Sequence, residues 1–165
     1  MKKQYSNTNE KNFKFLTILI PFIADLYICS YLWKGFGNKE QFDKSLKLAL
    51  DVIGQAGGQA VELPQEYIAQ LWELMILTLV SILSVYLIVH VIVYLLYYFK
   101  EKKGALSYIK FYSLSAGILM PLFAVFDLKN LFNIGFLIIG IAFLWLNQGI
   151  KFYEKAKEKV KKPVK

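Results

Sequence analysis

The stretch Leu74–Phe99, LMILTLVSILSVYLIVHVIVYLLYYF, runs for 26 residues without an acid or a lysine. A helix rises about 1.5 Å per residue, so roughly 20 apolar residues cross the ~30 Å of hydrocarbon in a bilayer. This stretch therefore reads as a membrane-crossing helix with length to spare, which tilts or projects beyond the lipid. Working outward, the whole second span covers 68–99. A first span, 15–33, is fenced by Lys14 and Lys34. A third, 111–126, lies between Lys110 and Asp127 and is short at 16 residues; Gly117 and Pro121 make it the least regular, and a distorted crossing is compatible with it. A fourth covers 131–150.

Composition supports the same reading. The 165 residues are 56% hydrophobic and 19% charged, with a mean hydropathy of +0.41. Soluble domains are about a quarter charged. The expected fold is all-α: an integral membrane four-helix bundle, one domain over 1–165, with an outer segment at 34–67 and a basic tail at 151–165.

The net charge is +8, and all 20 basic residues are lysines. Without arginine there is no planar, bidentate clamp for phosphates, so no nucleic-acid partner is expected. Lysine placement instead orients the chain. Residues 1–14 hold four lysines, 100–110 four and 151–165 seven, whereas 34–73 holds four lysines against six acids. With four crossings the three lysine-rich segments share one face. The positive-inside rule makes that face cytoplasmic, with both termini on it. The expected location is a bacterial inner or plasma membrane. No small-x-small cleavage site follows the first apolar run, so it reads as a retained anchor and not a signal peptide.

In the outer segment, Phe42, Leu46, Ala49, Leu50 and Ile53 recur at helical spacing among charges, which predicts an amphipathic helix of about four turns. It is expected outside the membrane, covering the bundle or lying on the leaflet. Gly54, Gly57 and Gly58 end it. Pro64, followed by Gln65 and Glu66, opens the next helix.

Two ionisable residues fall deep in predicted spans. Asp25 is 11 residues from Lys14, and His90 is 10 residues from Lys100. Both sit about 15–16 Å from the same membrane edge. A lone charge there costs at least about 2.5–3.5 kcal/mol, and a hydrogen-bonded pair removes much of that penalty. The first span is therefore expected to pack on the second with Asp25 facing His90. Such a pair serves as a polar lock between helices or as part of a proton or cation pathway. Pro21, one turn before Asp25, cannot donate to the Thr17 carbonyl and predicts a kink. Pro121 does the same in the third span.

Tyr86, His90, Tyr94 and Tyr97 share one helical face. Tyr86 is too deep for an interfacial ring and is expected to hydrogen-bond inside the bundle. Tyr94, Tyr97 and Tyr98 are expected in the aromatic belt at the membrane surface. Gly135, Ala142 and Gly149 recur every seven residues, which predicts a seam for close helix approach, with Gly140 off it. Asn147 and Gln148 are expected to satisfy helix ends and neighbours. The tail continues the last helix through Glu154–Lys159, with Pro163 at its end, and its lysines suit anionic lipid heads.

Absences narrow the function. One histidine cannot supply bis-histidine haem ligation, and one cysteine, Cys29, cannot form a thiol pair. Phosphate-loop, dinucleotide, hydrolase-elbow and zinc-protease motifs are missing. No enzyme, cofactor or metal is expected. Two readings survive: an oligomerising or accessory subunit of a membrane assembly, and an oligomeric proton or cation channel or transporter using Asp25 and His90 with Tyr86 nearby. The expected partners are the lipid bilayer and either copies of this chain or a larger membrane complex.

Overall fold

The computed structural model describes residues 2–57, 62–126 and 128–161, with side chains over 10–57, 62–126 and 128–156. Gly58, Asp127 and Pro163, which figured above as helix or span boundaries, lie outside the described residues. Among the described residues there are five helices and no strand: α1 (Lys2–Phe36), α2 (Lys39–Gly57), α3 (Gln65–Lys100), α4 (Lys103–Val125) and α5 (Leu131–Lys161). Four of them, over Glu10–Phe36, Gln65–Lys100, Lys103–Val125 and Leu131–Ala156, are long and apolar enough to cross a membrane.

The helices start and stop for local reasons. Asn38 caps α2: its Oδ1 accepts from the Glu40 and Gln41 amides at 2.9 and 3.3 Å. These donors would otherwise be orphaned in the first turn. Asn130 does the same for α5, accepting from the Phe132 amide at 3.0 Å. Pro64 supplies the first carbonyl of α3, to the Ile68 amide. At the other end of α3, Glu101 takes a left-handed conformation (φ 46°), and its amide returns to the Tyr97 carbonyl at 3.0 Å.

One boundary differs from the sequence expectation. The third span begins at Lys103, eight residues before the predicted 111. Lys110 does not fence the helix, because Ala105, Ile109 and Ser113 continue its buried face across that lysine. The Lys110 ammonium instead leaves sideways to Glu154, at 2.5 Å. The third span is thus a full-length helix.

The chain divides into two compact units, Met1–Asp25 with Val89–Lys165, and Leu26–Ile88. In the first unit α4 and α5 are the helices whose backbones run closest. On α4 the buried face is Ala105, Ile109, Ser113, Ala116, Gly117, Met120 and Ala124. On α5 it is Phe136, Gly140, Phe143, Leu146, Asn147 and Ile150. Steps of three and four give the interlocking of paired helices. Close approach needs small residues. A Cβ on Gly117 would stand 3.0 Å from the Leu144 side chain, and one on Gly140 would overlap the Pro121 ring. The predicted seam does not carry this contact. Gly135 and Ala142 are half-buried, and half-buried Gly149 faces the Phe13 ring of α1. Gly140, off the predicted seam, makes the contact because the buried face of α5 runs through it.

Pro21 is fully buried, and α1 continues through it as helix. One turn earlier the Thr17 hydroxyl donates to the Phe13 carbonyl at 2.8 Å. Towards the Lys14 end, the Tyr153 hydroxyl donates to Glu10 at 2.6 Å, and Lys14 pairs with Glu101 at 2.8 Å.

In the second unit, α2 is amphipathic, but of the predicted stripe only Phe42, Leu46 and Leu50 are half-buried, while Ala49 and Ile53 are exposed. Phe42, Leu46, Leu50 and Gly54 form a half-buried stripe, although no α2 residue is fully buried. Phe42 packs on Trp72 of α3 at 5.4 Å between ring centroids, and the Lys39 ammonium lies 5.7 Å from the Trp72 ring centre. Lys39–Asp43 and Glu40–Lys44 pairs line its exposed side.

Candidate functional site: a buried carboxylate, imidazole and phenol cluster

Asp25 and His90 meet in the first unit. His90 Nδ1 lies 2.9 Å from Asp25 Oδ1, and the two side chains are 5% and 0% exposed. Depth arithmetic brings α1 and α3 into register here, and two further helical faces complete the site. Tyr94, one turn after His90 on α3, donates its hydroxyl to Asp25 Oδ2 at 2.5 Å. Tyr112 of α4 donates to Asp25 Oδ1 at 2.7 Å. Tyr108, one turn before Tyr112, places its hydroxyl 2.7 Å from His90 Nε2.

The rings hold these tips in place. His90 lies edge-on to Tyr112 and Tyr108, at 4.8 and 5.7 Å between centroids. Tyr108 and Tyr112 stack, and Tyr112 abuts Phe143 of α5. Asn147 of α5 ties the adjoining stretch of α4, donating to the Lys110 carbonyl at 2.7 Å and reaching the Ser113 hydroxyl at 3.4 Å.

The electrostatic logic starts from the carboxylate. An ionised Asp only accepts, and it carries enough lone pairs for several donors. Two phenol O–H groups donate to it in charge-assisted bonds, about twice as strong as neutral ones, and the His90 ring nitrogen lies beside it at 2.9 Å. They replace the water that a buried carboxylate has lost. The partners also assign the imidazole tautomer. With a proton placed on Nδ1, the nitrogen beside the carboxylate, Nε2 is left to accept from Tyr108. Tyr94 and Tyr112 thus close on the carboxylate by hydrogen bonds, His90 Nδ1 stands 2.9 Å from the same carboxylate, and Tyr108 bonds the far side of the ring.

The tyrosine expectation is corrected here. Tyr94 and Tyr97 are each only 3% exposed and belong to the core, whereas Tyr98 is 41% exposed. Depth from Lys100 placed all three in a belt, but direction separates them. Steps of four and three keep Tyr94 and Tyr97 on the inward face of His90, and the next residue turns about 100° away. Tyr86 is half-buried and belongs to the second unit.

Tyr108 and Tyr112 were not singled out from the sequence. The signal was present as a four-residue repeat, but a span begun at 111 left Tyr108 outside it. Among the described residues no three His, Cys, Asp or Glu side chains gather to hold a metal ion.

A helical protein with four segments fit to cross a membrane, and with a buried polar cluster among them, has the make-up of a multi-pass membrane protein. Comparison with known protein families, with curated proteins and with solved structures finds no match to this chain.

Proposed function

We propose that this protein is an oligomerising or accessory subunit of a membrane assembly. In this reading it lies in a bacterial inner or plasma membrane with both termini cytoplasmic and α2 on the opposite side. The lysine distribution supports that orientation. The observation that carries the subunit reading is the closure of the polar cluster. Asp25 has no exposed surface, and both of its oxygens are occupied by donors from α3 and α4. A cluster closed in this way clamps helices together and does not line a wet conduit. The surface left for interaction is the apolar outside, where Leu74, Leu77, Ile82, Val85 and Ile88 of α3 are all more than half exposed.

A second reading, an oligomeric proton or cation channel or transporter, draws on the string of polar groups Tyr108, His90, Asp25 and Tyr94, each within 3 Å of the next. Two measurements on the same preparation separate the readings. The subunit reading expects the particle extracted in mild detergent to exceed the mass of one chain, and liposomes bearing it to show no proton or cation flux. Flux that disappears in Asp25→Asn and His90→Gln would transfer the function to the second reading. A monomer of one chain's mass without a companion would remove the first.

A further inference from the structure

The cluster is most open at Tyr108: Asp25, His90 and Tyr94 are 0–4% exposed and Tyr112 is half-buried, whereas Tyr108 is 37% exposed. Its hydroxyl lies 2.7 Å from Nε2, and the opposite ring nitrogen lies 2.9 Å from a carboxylate oxygen. This is how a general base is built for a hydroxyl nucleophile: the acid fixes the tautomer, leaves the far nitrogen's lone pair free, and stabilises the imidazolium that forms. The chain has a single histidine, and Tyr108 is the tyrosine placed at its Nε2.

The geometry points to Tyr108 as a base-activated nucleophile, with His90 taking its proton and Asp25 orienting His90. The group it accepts is an acyl group on an activated ester dissolved in an apolar phase. The class follows from three features. A phenol oxygen is a hard nucleophile, suited to carbonyl carbon. Phe111, nearly one turn after Tyr108 on α4, is exposed and apolar. The cluster contributes no cation to hold a phosphate. A free phenolate is costly in so apolar a setting, so the proton leaves as the new bond forms.

In the step, Tyr108 Oη bonds to the carbonyl carbon while its proton passes to His90 Nε2. The bond to the leaving oxygen then breaks. That oxygen takes the proton from Nε2, giving an acyl-tyrosine and an alcohol. Tyr94 and Tyr112 remain neutral donors to Asp25 and hold its charge while the imidazolium exists.

The test uses the full-length protein in mild detergent and two probes, an aryl acetate ester and an aryl sulfonyl fluoride. Modified tyrosines are located and timed by mass spectrometry. Tyr31 and Tyr98 are internal controls, because they are 39% and 41% exposed, close to Tyr108. Tyr108 is expected to react at least ten-fold faster than either with both probes, since a positioned base supplies about 10²–10⁴-fold. His90→Gln is expected to lower the Tyr108 rate to that of the controls and leave theirs unchanged. The comparison within the unmodified chain needs no variant to fold. Equal rates at Tyr108, Tyr31 and Tyr98 would overturn the assignment. So would a fast Tyr108 whose advantage persists in a folded His90→Gln chain.

Discussion

Removing the Tyr94 hydroxyl should reveal how strongly the carboxylate clamps α3 to α1. Tyr94→Phe deletes one short bond, 2.5 Å, to a carboxylate with no exposure, and leaves the ring in place. Hydrogen bonds to charged groups contribute about 1.5–3 kcal/mol in soluble proteins. In membranes the separated helices still find partners, and measured couplings average about 0.6 and reach about 1.7 kcal/mol. Asp25 belongs at the upper end, because a separated α1 would carry a bare acid at mid-depth, where it costs about 2.5–3.5 kcal/mol. Tyr94→Phe is therefore expected to cost about 1.5 kcal/mol, a ten-fold shift in the folded-to-unfolded ratio. Asp25→Asn should cost more, about 2–3 kcal/mol, because the new amide turns a donor towards groups that are themselves donors. Asn keeps one accepting oxygen but no charge, so Tyr94→Phe should cost less in the Asp25→Asn background, about 0.5 kcal/mol. Equilibrium unfolding of all four chains in mixed micelles of mild detergent and dodecyl sulfate, followed by tryptophan fluorescence, closes the cycle. Equal costs of Tyr94→Phe in both backgrounds would refute the argument that this bond holds the helices.

Three other outcomes are expected. Gly140→Ala should lower stability by about 1–3 kcal/mol, since its methyl overlaps the Pro121 ring, whereas Gly104→Ala meets nothing within 4 Å and should raise stability by up to about 1 kcal/mol. The same unfolding titration measures both, and equal signs would contradict the close α4–α5 packing. Glu101→Gly should be neutral or stabilising by up to about 1 kcal/mol: it relieves a left-handed backbone costing about 1–2 kcal/mol, against which stands the partly exposed Lys14 pair, of about 0.2–1 kcal/mol. In a Cys29→Ser background, Leu48→Cys and Lys155→Cys should react with a membrane-impermeant maleimide from opposite sides of the membrane; labelling from the same side would end the proposed topology.

The cluster was legible only in part, for a geometric reason. Asp25 and His90 stood out because charge is rare in apolar helices, and because counting residues from a lysine measures depth at a fixed rise. The same counting misplaced Tyr94 and Tyr97, since depth says nothing about direction. Their four- and three-residue steps from His90 were the better guide. Tyr108 and Tyr112 escaped because Lys110 was read as the water's edge. A lysine on a helix flank can reach sideways to an acid, as it does to Glu154, while its backbone remains in a continuing helix. The small-residue seam was legible only in part: Phe13 of α1 comes close at Gly149, but the α4 contact runs through Gly140. A repeat of seven marks a stripe, but the large residues beside it decide which stripe meets the neighbouring helix. On α5 these are Phe136, Phe143, Leu146 and Ile150.

Two ways of joining helices coexist in the first unit, and they divide the work. The backbones of α4 and α5 come close at glycines, so dispersion between many atoms holds them and no polar bond is required along most of their length. In the cluster α1 and α3 are joined through long side chains, with a carboxylate, an imidazole and tyrosine rings filling the wider gap. Lipid tails are as apolar as leucine, so apolar contact alone gives little preference for helix over lipid at such a gap. The polar groups supply that preference, because lipid cannot satisfy them. Losing the Asp25 carboxylate should then loosen α1 and α3 while the α4–α5 pair stays intact. Amide hydrogen exchange in Asp25→Asn would show the division directly, as faster exchange in α1 and in the His90–Tyr97 stretch with protection of Ile109–Met120 and Gly140–Ile150 retained. Uniform loss of protection across all four helices would mean that the two modes of packing are one cooperative unit.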